Sequence, residues 1–465
     1  MSQPRPATLR ELRESGHVHR GVKAEIRENL LQRLRKGEPA FPGIVGFSGT
    51  VLPHLERALL AGHDLVLLGE RGQGKTRLIR TVAGLLDEWT PTVKGCEIND
   101  HPYAPACLGC RRAVAEQGDD LPVSWLSRGQ RYGEKLATPD TSVGDLIGDV
   151  DPIKIAEGRS LGDPETVHFG LIPRTNRGIF SVNELPDLAE RIQVALLNVL
   201  EERDIQIRGY AIRMPLDLLL IASANPEDYT NRGRIITPLK DRFGAEIRTH
   251  YPPSLELELE LIRQEARLAE VGADLPDHLF EVIARFTRLV RESPAADARS
   301  GVSARFAIAA AETVAAAAVR RAARTGEEQA VARICDLPGV VHTLRGKVEF
   351  EVSEEGRETE VLSHLLRRAT AETFRETLGG ADLTALLDRF SAGVSVESGD
   401  GVSAPELLHR IGQVPGLSKI MERLGMDGNE SPGHAAAALE FTLEGLYLMR
   451  RLSKDEVDGG AVYRT

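Results

Sequence analysis

The chain has 465 residues, 42% of them apolar, and a formal net charge of -11. That length exceeds what one hydrophobic core supports, so about two to four domains are expected. The acidic balance argues against a general nucleic-acid binder, which carries a basic excess. No apolar run of about 18 residues is present to span a membrane. The N-terminal MSQPRPATLRELRESG lacks the apolar centre of a secretory signal, and four cysteines make no disulfide framework, so a reducing cytoplasm is expected.

Residues 1–39 read as a helical N-terminal arm. Within it TLRELRESGHVHRGVKAEIRENLLQRLRKG, residues 8–37, predicts one or two charged helices, either solvated or docking a neighbouring subunit, and Pro39 and Pro42 close the segment. Across residues 40–251 short apolar runs alternate with amphipathic stretches, which predicts an α/β domain whose parallel sheet is flanked by helices. Leu65–Leu68 predict a buried strand. Gly69, Glu70, Arg71, Gly72, Gln73, Gly74, Lys75 and Thr76 then fit the phosphate-loop pattern G-x-x-x-x-G-K-T. The glycines let backbone N–H groups close around phosphate oxygens, Lys75 offsets the charge of the β and γ phosphates, and the Thr76 hydroxyl reaches Mg2+. The helix that follows adds the partial positive charge of its N-terminus, and Leu78, Ile79, Val82, Leu85 and Leu86 form its apolar side.

Residues 95–112, GCEINDHPYAPACLGCRR, are an insert. Cys107-x-x-Cys110 has half-site spacing for Zn2+, and Cys96 with His101 can complete a tetrahedron; such a site has no open position and is structural. Free thiols in an irregular loop are the competing reading.

IFSV, residues 179–182, predicts the next core strand, and Asn183-Glu184 follow it where a phosphate-loop ATPase is expected to carry Asp-Glu. Glu184 falls at the carboxyl end of the strand, where open α/β sheets bind ligands, and is the candidate for polarising the attacking water. Asn183 takes the Mg2+ position with a carbonyl oxygen but no charge, a change that costs about 10–100-fold in metal affinity or activity. A slow ATPase is therefore preferred to a switch that only binds nucleotide. Leu218–Ala222 predict another buried strand, and Asn225 after it either forms a turn or touches the γ-phosphate or the water. Asp241-Arg242-Phe243 begin the last strand segment; Arg242 is either a surface ion pair or a cation offered to a neighbouring subunit's nucleotide.

Residues 252–335 predict an all-α domain whose Ala-rich helix is capped by Ser303, with Arg305 in its first turn. Cys335 reads as a small buried apolar residue. Residues 336–465 predict a mainly helical extension, with one exposed strand at KVEFEV, residues 347–352, and a loop at SVESGDGVSAP.

Taken in order, Gly69–Thr76, Asn183-Glu184, Asn225, Asp241-Arg242-Phe243 and Arg305 resemble the Walker A, Walker B, sensor 1, arginine-finger and sensor 2 elements of an AAA+ ATPase. FPGIVGFSGTVLPHLERAL is similar to the family's adenine-packing segment, which implies Ile44 and Val45 against the base. More narrowly, ATPDTSVGDLIGDVDP, GLIPRTNRGIFSVNEL and LLNVLEERDIQIRGYAIRMP resemble the MoxR and magnesium-chelatase ATPase-subunit branch, over residues 40 to about 370. The resemblance implies ATP and Mg2+ as ligands, Arg305 as a catalytic group, and a homo-oligomeric ring, commonly hexameric. It also implies a helix-2 insert at about residues 145–170, a hairpin at about 203–215, and a partner protein with a von Willebrand factor A domain. Service in a metal chelatase is the alternative reading. A nucleic-acid motor has only Arg203, Arg208 and Arg213 in its favour, and the GAFTGA loop of sigma-54 activators is absent.

Overall fold

Apolar runs set the architecture of the first unit, Met1–His250. The computed structural model describes residues 5–150, 153, 156–157, 166–204, 214–226, 234–297, 301–412, 414, 416–426, 431–457 and 459–465. Helices α1 (Leu9–Glu14), α2 (Val22–Lys36) and α3 (Val51–Leu60) lead into β1 (Leu65–Leu68) and α4 (Lys75–Val82). Next come β2 (Trp89–Val93), α5 (Leu108–Gln117), β3 (Val123–Ser127) and β4 (Tyr132–Leu136). The remaining strands are β5 (Gly148–Val150), β6 (Val167–Phe169), β7 (Gly178–Asn183), β8 (Leu218–Ala224) and β9 (Ala245–Arg248).

Five of these strands pair in parallel in the order β4-β7-β8-β1-β9. Side chains alternate across the sheet. Val66, Phe180, Val182, Leu220 and Ala222 enter one core, and Leu65, Leu67, Ile179, Leu219 and Ile221 enter the other. Register aligns Leu68 with Ala224, Val182 with Ala222 and Leu136 with Asn183. The phosphate loop, Asn183-Glu184 and Asn225 therefore leave the sheet at one edge, the carboxyl ends of β1, β7 and β8. The predicted α/β fold with a helix-flanked parallel sheet is what forms.

The N-terminal segment is not a solvated arm. Val22, Ile26 and Leu30, spaced four apart on α2, are buried with β1 and β8 side chains. Its charges hid that stripe, yet Glu25 is itself buried and accepts from Arg131 at 2.7 and 2.6 Å. Asp241 and Arg242 end a helix, Thr237–Arg242, rather than start a strand, because Pro238 at its first turn favours helix entry. β5 and β6 pair antiparallel within the predicted helix-2 insert. Much of that insert, and residues 205–213 of the predicted hairpin, lie outside the described residues.

The second unit, Tyr251–Thr465, is mainly helical. Helices Asp277–Glu292, Ala304–Thr325, Glu358–Leu378 and Pro432–Leu448 contribute to one hydrophobic core, so residues on both sides of 335 pack together. KVEFEV forms no strand; Phe350 makes only an isolated bridge to Ala296. Alternation there had no partner strand to pair with. The SVESG segment does form a strand, β10 (Val396–Gly399), in an antiparallel sheet with β11 (Ser453–Val457) and β12 (Gly460–Arg464), ordered β10-β12-β11. Cys335 is only partly buried as a residue, and burial pushes its thiol well up.

Candidate functional site

The phosphate loop owes its shape to its glycines. A Cβ on Gly69 would collide with Thr249 Oγ1 and Gln73 Oε1, which are themselves joined at 2.8 Å, and Gly74 has φ +75°, the left-handed region. Gly74 caps α4, so Lys75 and Thr76 occupy the helix's first two positions. Glu70 and Thr76 are half-buried and Arg71 is exposed. Lys75 is buried, and its Nζ donates to the carbonyls of Gly69 and Glu70 and, at 2.7 Å, to Asn225 Oδ1. Asn225 Nδ2 in turn donates to Glu184 Oε2 at 3.0 Å. Three residues far apart in the chain thus form one polar chain at the strand ends. Glu184 has φ +56°, and its N–H donates to Ser223 Oγ at 3.3 Å. The neighbouring Leu185, Leu188, Ile192, Leu196 and Val199 are buried beneath it.

Asn183 is buried and held at both ends. Its Nδ2 donates to Glu134 Oε1 at 2.7 Å, and its Oδ1 accepts from Ser223 Oγ at 3.2 Å. Glu134, on β4, also accepts two bonds from Arg80, at 2.9 and 3.1 Å, and one from Tyr132 Oη at 3.0 Å. Burial works to raise the Glu134 pKa, but the bonds from Arg80, Tyr132 and Asn183 outweigh it and hold the carboxyl below its usual range. Arg80 lies one helical turn after Thr76, so both occupy one face of α4. Glu134, bonded to Asn183, is a residue that the sequence analysis missed. Its only signal was an acid in a short strand.

Within the first unit, Arg242, Ile44 and Val45 are not hydrogen-bonded to this group. Arg242 donates from Nε to Glu201 Oε2 at 2.7 Å and from Nη1 to the Pro238 carbonyl at 2.8 Å. Arg305 belongs to the second unit, exposed, its N–H on Ser303 Oγ at 3.1 Å. Ile44 packs on the core that holds β1, and Val45 is half-buried.

In the cysteine insert the donor atoms of Cys96, Asp100, Cys107 and Cys110 all lie within 4.8 Å of one another. The fourth member is Asp100, not His101. The two are chain neighbours in a tight turn and point to different sides. His101 Nδ1 accepts from the Tyr103 N–H at 3.0 Å, and its ring stacks on His17 at 5.3 Å between centroids. Burial, then the nearby Arg177, His19 and His17, push His101 down to about 2, so it stays neutral. Hydrogen bonds from Cys107 and Cys110 lower the Cys96 thiol to about 4, and burial raises Asp100 to about 6.

A parallel sheet in this order, a phosphate loop after β1, an acid after β7 and an Asn after β8 define a phosphate-loop module of the AAA+ class. A family model described as the Sigma-54 interaction domain matches residues 158–242. That stretch runs from before β7 to Arg242, and GAFTGA is absent from it. Magnesium-chelatase subunit ChlI-2, chloroplastic, of Arabidopsis thaliana is 29% identical over 207 residues, 44% of this chain and 46% of that protein. The magnesium-chelatase 38 kDa subunit of Acidiphilium rubrum is 30% identical over 209 residues, 43% of this chain and 55% of the relative. The chain thus spans about half the length of the curated relatives it matches. A solved assembly of magnesium-chelatase subunits BchI and BchD overlaps 68% of this chain and 98% of that one, at 21% identity and a TM-score of 0.36, too loose to define the fold by itself. Over the matched part, less than half of its length, the chain is similar to the magnesium-chelatase ATPase subunits of the AAA+ class. No helix among its described residues is long and apolar enough to cross a membrane.

Proposed function

We propose that this chain is an Mg2+-dependent ATPase working as a homo-oligomeric, hexameric ring in the cytoplasm, which remodels or activates a partner protein bearing a von Willebrand factor A domain. The observation that carries the reading is the Lys75–Asn225–Glu184 chain, at 2.7 and 3.0 Å. It supports a triphosphate site in which the cation, the amide and the carboxylate address the same phosphoryl group. Backbone N–H groups of residues 69–76 hold phosphate oxygens, and Lys75 exchanges its loop carbonyls for the β and γ phosphates. Thr76, Asn183 and Glu134 would hold the Mg2+, directly or through water. When bound, that ion neutralises phosphate charge. Glu184 orients the attacking water and takes its proton, while Asn225 fixes the Glu184 carboxylate and senses the γ-phosphate. Ile44 and Val45 pack on the base. Arg242 of an adjacent subunit and Arg305 add positive charge at the leaving end.

A second reading, the ATPase subunit of a metal chelatase, is favoured by the names of the curated relatives. Both readings use the same nucleotide chemistry. A binding-only switch is the outcome if Asn183 has ended hydrolysis.

Phosphate release and nucleotide affinity of wild type and Glu184→Gln decide the matter. The expected result is equal ATP affinity with turnover reduced at least about 100-fold in the variant. Near-zero turnover in both proteins, or no ATP binding by wild type, rules the ATPase out, and near-zero turnover with tight binding supports the switch; equal, substantial turnover in both would remove Glu184 from the chemistry.

A further inference from the structure

We propose that Cys96, Asp100, Cys107 and Cys110 hold one structural zinc ion, which cross-links the insert between β2 and β3, the segment that Asn176 and Arg177 grip just before the strand ending at Asn183. Three thiols and a carboxylate make a complete tetrahedral donor set, and their donor atoms already lie within 4.8 Å of one another. Asp100 is 1% exposed. Its Oδ2 accepts from the Cys107 N–H at 2.8 Å, while its Oδ1 is buried with no hydrogen-bond partner among the described residues. A buried carboxylate oxygen left unpaired beside three sulfurs is costly unless a cation faces it. The sulfurs are prepared for negative charge as well. The Asp100 N–H donates to Cys96 Sγ and the Cys110 N–H to Cys107 Sγ, both at 3.3 Å. Each cysteine that binds gives up its thiol proton to solvent.

The insert's small core is Leu9, Val93, Cys110 and Leu121, four buried side chains, one of them a proposed ligand, and Ile98 adds an anchor in the core of the sheet. A bound ion would fix the ten-residue helix at its start, where Cys107 and Cys110 lie. What the cross-link positions is visible in the contacts. Arg177 Nη1 donates to the Pro91 and Asn99 carbonyls at 2.6 and 3.2 Å, and Asn176 Nδ2 donates to the Ile98 carbonyl at 3.1 Å. Asn176 and Arg177 directly precede β7. All four donors being protein groups, the ion has no open position for chemistry.

The test is metal analysis of the full chain by mass spectrometry, with Co2+ substitution read by absorption. Wild type is expected to carry one equivalent of zinc and to give tetrahedral, thiolate-rich Co2+ bands. Asp100→Asn, nearly isosteric, is expected to weaken zinc affinity about 10–100-fold. Cys107→Ser should abolish the bands, and His101→Ala should keep them. A folded wild-type chain that stays metal-free when supplied with zinc and gives no Co2+ bands overturns the proposal. So does iron in place of zinc, or full affinity in Asp100→Asn with loss in His101→Ala. Should Cys107→Ser fail to fold, the wild-type zinc content and the Asp100→Asn affinity still decide. None of these readouts involves nucleotide, so failure here leaves the ATPase reading standing, and the reverse.

Discussion

Replacing Asn183 by Asp restores the acid expected at this position, yet the structure predicts a less stable protein. Asn183 Nδ2 donates to the Glu134 carboxylate at 2.7 Å, and Asp cannot donate there when ionised. Losing a hydrogen bond to a charged group costs about 1.5–3 kcal/mol. Two carboxylates about 4 Å apart repel by up to about 4 kcal/mol at an effective dielectric near 20. Arg80, bonded twice to Glu134, offsets part of that. A net loss of about 2–4 kcal/mol is expected at pH 8 in chelator, measured by urea denaturation. Neutralising one acid should relieve it, so the loss shrinks as pH falls toward about 5 and the pair shares a proton. Glu134→Gln placed on top of Asn183→Asp should recover most of the stability, a coupling that the double-mutant cycle reads directly. Mg2+ should stabilise Asn183→Asp more than wild type. An Asn183→Asp protein as stable as wild type at pH 8 in chelator, with the same pH dependence, would refute the pairing.

Other outcomes follow from the same contacts. Arg242→Ala breaks a partly exposed ion pair with Glu201 and an exposed bond to the Pro238 carbonyl, so stability should change by less than about 1 kcal/mol while turnover falls about 10³-fold and the oligomer persists on size exclusion; unchanged turnover would return Arg242 to a surface role. His101 is depressed to about 2 by burial, below its unfolded value, so its contribution is complete above about pH 6.5 and is lost as pH falls. By pH 5 that loss is about 2 kcal/mol for His101, checked by thermal melts from pH 8 to 5 of wild type against His101→Phe. A pH slope equal in both proteins would show that this histidine is not responsible.

The phosphate loop could be read from the chain because its eight residues are contiguous and their backbone does the binding. The strands at 65–68, 179–182 and 218–222 were equally legible, since a strand buried on both faces is a nearly continuous apolar run, broken here only by Ser181. Other features were not. Solvation of the arm was misjudged because Glu25 and its charged neighbours masked a three-residue apolar stripe that only the sheet reveals. β10 looked like a loop because the strand it pairs with, β12, lies more than fifty residues farther along.

By itself, then, the sequence determined the phosphate loop, the apolar strands and the α/β class, all set by local pattern and backbone chemistry. Tertiary structure alone decided that Glu134 stands beside Asn183, since β4 and β7 are neighbours only through strand order. It also chose Asp100 over the adjacent His101, because consecutive side chains in a tight turn diverge and spacing along the chain cannot say which one faces the sulfurs.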